Sequence, residues 1–156
     1  MFELHEQLKK ETVVVGQFRL SLVLLHKDAN YPWLILVPKR PNIREIHHLA
    51  QQDQAQLIRE SSHLSEVMTS IFAPTTMNIA ALGNLVPQLH VHHVARFEDD
   101  VAWPKAIWGY SGESKSYSDE LLSERLNRLH SSLVGEDFQA DCQLDKNDSS
   151  AASFSP

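Results

Sequence analysis

Between residues 42 and 72 the apolar side chains recur three or four apart, at Leu57, Leu64, Met68 and then Ile71 or Phe72, with Gln, Arg, Glu and Ser between them. That spacing lines up one apolar stripe on a helix. Short β-rich runs lie before and after it, so the long helix is expected to cover a sheet, and Pro74 ends it. Residues 12–15 and 18–25 surround Gly16-Gln17, which reads as a hairpin turn, and residues 33–37 form a third run closed by Pro38. Residues 77–82 and 89–97 look like two more strands around a turn at Gly83-Asn84. The pattern predicts an α+β domain with a mainly antiparallel sheet.

The ends of the chain add smaller pieces. Leu4 and Leu8, with charges between them, predict a short amphipathic helix. Residues 99–113 carry Trp103, Pro104, Trp108 and Gly109, too aromatic for a linker, and are expected to form an ordered loop. A last helix is predicted over residues 118–133, with Ser118 as N-cap, Asp119 and Glu120 in its first turn, and Leu121, Leu122, Leu126, Leu129 and Leu133 as its apolar positions. After Gly135 the composition turns acidic and serine-rich. The expected organisation is one domain over residues 1–135 and a mobile tail over 136–156. A chain of 156 residues with 42% hydrophobic content can bury the core that one such domain needs, and no internal repeat divides it.

Charge and targeting signals narrow the function. A formal charge of -6 offers no basic field for a nucleic-acid polymer, though a few local donors suffice for one mononucleotide. The single cysteine, Cys142, excludes an intramolecular disulfide and suits a reducing compartment. The first eleven residues lack the apolar core of a signal peptide, and no apolar run approaches the roughly 18 to 20 residues that span a bilayer. A soluble cytoplasmic protein without membrane contact is expected.

The chemistry concentrates in Gln88-Leu89-His90-Val91-His92-His93. On a strand, alternation puts Gln88, His90 and His92 on one face and Leu89, Val91 and His93 on the other. A neutral imidazole attacks phosphorus when its second nitrogen is held by an acceptor, while a neighbouring imidazole or amide stabilises phosphoryl oxygens or assists the leaving group. Two other readings remain open for these residues alone. They can be polar groups on the wet side of an ordinary strand, or His47, His48 and His63 can join His90 and His92 around zinc, although no nearby cysteine or carboxylate completes a ligand spacing.

The wider context favours the phosphorus chemistry. The stretch from Asn78 through Gly83-Asn84, Val86-Pro87 and Gln88 to His93, Val94 and Arg96 resembles the signature of the histidine triad (HIT) superfamily, in which a polar turn leads into alternating histidines. Trp33 to Pro38 followed by Lys39-Arg40 is similar to the family's central strand, and residues 52–72 sit where its long helix does. The resemblance spans roughly residues 10 to 110.

It implies a HIT-like fold, a homodimer, and hydrolysis or transfer of nucleoside monophosphates from phosphoanhydrides or phosphoramidates. On this match His90 is the nucleophile that carries the nucleotidyl group, and His92 contacts phosphate and helps the leaving group. Asn84 supplies the turn contact to phosphate, Asn78 is a further candidate, and Asp28 stands where an acidic residue meets the ribose. No cofactor is implied, and Mg²⁺ enters only with a polyphosphate substrate. Gln88 replaces the first histidine and can orient through its amide. Trp33 replaces a histidine found in many branches, which predicts a missing polar contact to the nucleophile. His93 falls on the opposite face, where a hydrogen-bonded core histidine is expected. Trp103 and Trp108 can pack the dimer or stack on a base. Two alternatives to the enzyme stand: a nucleotide-binding protein without useful catalysis, and a histidine-rich metal-binding dimer.

Overall fold

The computed structural model describes residues 1–141. Its centre is one six-stranded antiparallel sheet built from β1 (Thr12–Gln17), β2 (Ser21–His26), β3 (Trp33–Pro38), β4 (Thr76–Ala81), β5 (Val91–Arg96) and β6 (Gln139–Ala140). The spatial order is β4-β5-β3-β2-β1-β6. Three helices accompany it: α1 (Glu6–Glu11), α2 (Gln51–Phe72) and α3 (Asp119–Ser132). Among the described residues no helix is long and apolar enough to cross a membrane.

The sheet is covered on both sides, so every residue of β2, β3 and β5 is buried or half-buried, including the polar His92, His93 and Arg96. One face receives α2 and α3, whose stripes Leu57, Leu64 and Met68, and Leu126 and Leu129, close over Val23, Leu25, Leu34, Leu36 and Ala95. Each fully buried aliphatic side chain contributes about 1.5 to 3 kcal/mol, so this face is the main source of stability. The other face carries two smaller clusters. Leu24, Ile35 and Val37 pack with Leu8, Val86, Phe2 and Leu4, while Val94 packs with Tyr31, Ala102, Ile107 and Trp108. The predicted caps form as expected, since Ser118 Oγ accepts from the Leu121 amide and α2 stops at a left-handed Ala73 just before Pro74.

Three boundaries differ from the sequence reading. The first hairpin turns at residues 18–20 and not at Gly16-Gln17, which are paired inside β1. Glycine is needed at position 16 for another reason: β6 passes so close that a Cβ there would collide with Gln139 and lie 2.8 Å from the Phe138 ring. Second, β4 and β5 are joined by residues 82–90, not by a tight turn at Gly83-Asn84.

Third, the stretch assigned to a mobile tail begins inside the fold. β6 pairs with β1, Phe138 packs edge-on against Phe18 at 5.6 Å, and the Glu136 carbonyl accepts from the Arg19 amide. One aromatic residue among acidic neighbours is enough to dock these residues, a signal that average composition dilutes. The rest of the expected tail, with Cys142, lies outside the described residues.

Candidate functional site

Strand register decides which histidine meets which environment. On β5, His92 is opposite Ile35 of β3 and Ala80 of β4, and Val94 is opposite Trp33, so all of these share the face away from the long helix. His93 pairs with Leu34 and points the other way. It is 0% exposed, its Nε2 lies 2.7 Å from Ser61 Oγ of α2, and its Nδ1 lies 3.1 Å from the Val91 carbonyl. Burial pushes its pKa down to about 4, so it is a neutral core histidine as the sequence suggested.

His90 precedes β5, yet its ring comes back beside that of His92, with centroids 5.0 Å apart. Both are mostly covered, at 5% and 7% exposure. Their hydrogen bonds set their tautomers. His90 Nδ1 lies 2.6 Å from the Gln88 carbonyl, and since a carbonyl only accepts, Nδ1 carries the proton and the Nε2 lone pair is free. His92 is the mirror case. Trp33 Nε1 donates to its Nδ1 at 2.9 Å, and an indole nitrogen can only donate, so the proton of His92 resides on Nε2. Burial, together with the neighbouring His90, His26 and His93, lowers the His92 pKa to about 3. The site therefore presents one nucleophilic nitrogen beside one neutral N–H donor.

The remaining predicted residues have varied positions. Gln88 orients His90 with its backbone carbonyl, not with its side chain. Its amide is committed to the N-terminal segment, where Oε1 accepts from the His5 amide at 2.9 Å and Nε2 donates to the Glu3 carbonyl at 2.8 Å. Asn84 is exposed on the 82–90 loop. Asn78 shares the His92 face, but its Oδ1 accepts from Arg96 Nη1. Asp28 is a turn former that also pins a distant loop, since its Oδ1 accepts from the amides of Asn30 and Lys115.

Arg96 itself is buried and forms a two-pronged pair with Asp100 while donating to the Lys105 carbonyl. Burial alone would raise the Asp100 pKa, but the hydrogen bonds and charge of Arg96 together with the Phe97 and Ala102 amides outweigh it and hold the carboxylate below its usual range. This pair folds the loop back so that Trp103 lies against the Arg96 guanidinium and Trp108 meets the His92 ring at 5.3 Å. Both tryptophans thus pack within their own chain, and Trp108 helps wall the site.

Two contributors escaped the sequence reading. Trp33 was expected to leave a polar contact to His90 missing, whereas its indole supplies one, to His92 and not to His90. His26 was not singled out at all; it stacks flat on Trp33, with centroids 3.6 Å apart, and fixes the indole plane. An aromatic residue beside the strand that faces β5 was the only available signal. For the zinc reading, among the described residues no three His, Cys, Asp or Glu side chains gather as a metal site. His63 packs against Phe18 in the helix-covered core, away from His92.

Comparison with known proteins agrees with this geometry. The HIT domain family model matches residues 7–99. A histidine triad protein of Bradyrhizobium japonicum is 44% identical, with a TM-score of 0.83 over 85% of this chain and 98% of that one. One from Marinobacter aquaeolei VT8 is 45% identical at a TM-score of 0.82, covering 85% and 96%, and one from Sinorhizobium meliloti 1021 is 36% identical at 0.82, covering 85% and 98%. Among curated proteins none matches. The chain belongs to the histidine triad (HIT) family, and its α+β architecture is the HIT-like fold.

Proposed function

We propose that this protein is a nucleotide hydrolase or transferase that works through a covalent nucleotidyl-His90 intermediate. The observation that carries the reading is the pair of opposite tautomers, with a free Nε2 on His90 and an Nε2–H on His92. The His90 Nε2 lone pair attacks the phosphorus of a nucleoside monophosphate group, and the bond to the leaving group breaks with its electron pair. The resulting imidazolium keeps its Nδ1–H on the Gln88 carbonyl. Water, or another hydroxyl acceptor, then attacks phosphorus, the N–P bond breaks with its pair returning to Nε2, and the proton of the attacking O–H passes to solvent. His92 donates to a phosphoryl oxygen throughout. The substrates are phosphoanhydrides or phosphoramidates of nucleoside monophosphates. No resident metal is needed, and Mg²⁺ arrives with polyphosphate substrates.

We further propose a cytoplasmic homodimer. The sequence pointed to the long helix or the strand at residues 33–37 as the contact; the edges of β3 are taken by β2 and β5, so pairing through that strand's edge is not open to a second copy. The outer edge of β4 is the better candidate, supported by Ile79 at 52% exposure and Leu85 at 94% on the adjoining loop. A stable interface of this kind buries about 2,000 Å² or more in total.

The test of the chemistry is His90→Ala. Turnover of dinucleoside polyphosphates and nucleoside phosphoramidates, measured with chelator present, is expected to vanish while nucleotide affinity stays within about tenfold, since a nucleophile acts mainly in the transition state. Full activity of the variant would sink the covalent mechanism. Binding without turnover in the wild type would leave a nucleotide-binding protein.

A further inference from the structure

Trp33 determines which leaving groups this site expels. Resting on the histidine mechanism above, we infer that the Trp33 indole N–H, held on His92 Nδ1, keeps His92 from acting as a proton donor and makes the protein selective for phosphoanhydrides over phosphoramidates. The geometry is direct. An imidazole that gives up its Nε2 proton without first gaining one at Nδ1 becomes an anion, and Nδ1 cannot gain a proton while it accepts from Trp33 at 2.9 Å. Trp33 is not free to swing away. Its ring is clamped flat on His26 with an interplanar angle of 6°, and His26 Nδ1 in turn accepts from the Asp28 amide at 3.0 Å. The pKa of about 3 at His92, set first by burial, points the same way.

No other acid takes over. The rings around His92 are His90, Trp33 and Trp108, and no carboxyl group is among them. The buried carboxylate of Asp100, at the base of the loop that carries Trp108, is committed to Arg96. When His90 attacks a phosphoanhydride, the P–O bond breaks and the pair leaves on a phosphate oxygen, which is stable as an anion near neutral pH and needs only the Nε2–H hydrogen bond. When it attacks a phosphoramidate, the pair leaves on nitrogen, and that nitrogen must acquire a proton as the P–N bond breaks.

The experiment compares kcat/KM for diadenosine triphosphate and adenosine 5′-phosphoramidate at pH 7, in wild type and in Trp33→Phe. The Phe variant keeps an aromatic ring against His26 and removes the indole N–H, along with the area of the second ring, which the NMR tautomer readout does not depend on. The wild type is expected to prefer the anhydride by about 10²-fold, the lower end of what a positioned proton donor contributes. Trp33→Phe should narrow that preference about tenfold by raising the amidate rate. In parallel, ¹⁵N NMR of the free protein should give His92 as a single Nε2–H tautomer in the wild type and as a mixture in the variant, a readout independent of turnover. Equal rates on both substrates, or an Nδ1–H resonance for wild-type His92, would overturn the inference and leave the covalent mechanism standing. Absence of turnover on both substrates would remove the inference and the covalent mechanism together.

Discussion

His92 and His93 are neighbours in sequence, yet the two faces of the sheet give them opposite surroundings. His93 enters a face sealed by two helices and lined with aliphatic side chains, where its two nitrogens are satisfied by Ser61 and a backbone carbonyl. His92 enters a face covered by a loop, a short N-terminal helix and tryptophans, where one nitrogen is held and the other is left for chemistry. The helix-covered face derives its stability from apolar area. The site face has less of it and depends on a few directional contacts, so it can keep a reactive pair partly accessible without unfolding the sheet.

The largest expected effect tests how few those contacts are. Arg96→Ala leaves Asp100 buried without its partner, which costs about 3 to 5 kcal/mol in chemical denaturation. Hydrogen exchange should rise over residues 97–108 well before it rises in α2. A loss under about 1 kcal/mol would mean that the tryptophans alone hold the loop.

A smaller effect separates the two faces by pH. His92 and His93 have folded pKa values of about 3 and about 4, below the ordinary 6.5, so the unfolded chain binds more protons than the folded one in that interval. Stability is then full above about pH 6.5 and falls as the pH drops from there towards 4. Carboxylates such as Asp100 add their own loss mainly at lower pH. His93→Gln should reduce the slope between pH 6.5 and 5; an unchanged slope would assign it to other groups.

The smallest effect concerns the N-terminal segment. Gln88→Ala deletes two neutral hydrogen bonds, each worth roughly 1 kcal/mol, and should free residues 1–5 to faster amide exchange. Turnover should hardly change, because the carbonyl that orients His90 remains. A tenfold fall in kcat would show that the side chain also supports the nucleophile.

Much of this was legible from spacing. The period of 3.6 gave the α2 stripe, and the period of 2 correctly set His92 against His93, because both rules describe regular elements once they are packed. Alternation reached its limit at Gln88, since residues 88–90 precede β5 and the Gln88 side chain is fixed by the N-terminal segment, a partner more than 80 positions away. The Trp33 contact was illegible for a related reason. A tryptophan is read as packing area, and whether its N–H meets a nitrogen depends on a register between β3 and β5 that no local pattern encodes. Phe138 failed the opposite way, as a single docking residue inside a stretch whose average composition is that of a solvated tail.

The two margins of the sheet also differ, and the difference limits how copies can combine. At one margin, among the described residues, β6 pairs two residues with β1, and Gly16 allows it to lie flush against that strand. At the other, β4 presents six residues with an open side. A unit with two adhesive margins polymerises into a ribbon, whereas a unit with one can only meet its like head-on about a twofold axis and stop. Among the described residues the long open margin is the β4 edge, and pairing of two copies there about a twofold axis would use that edge up.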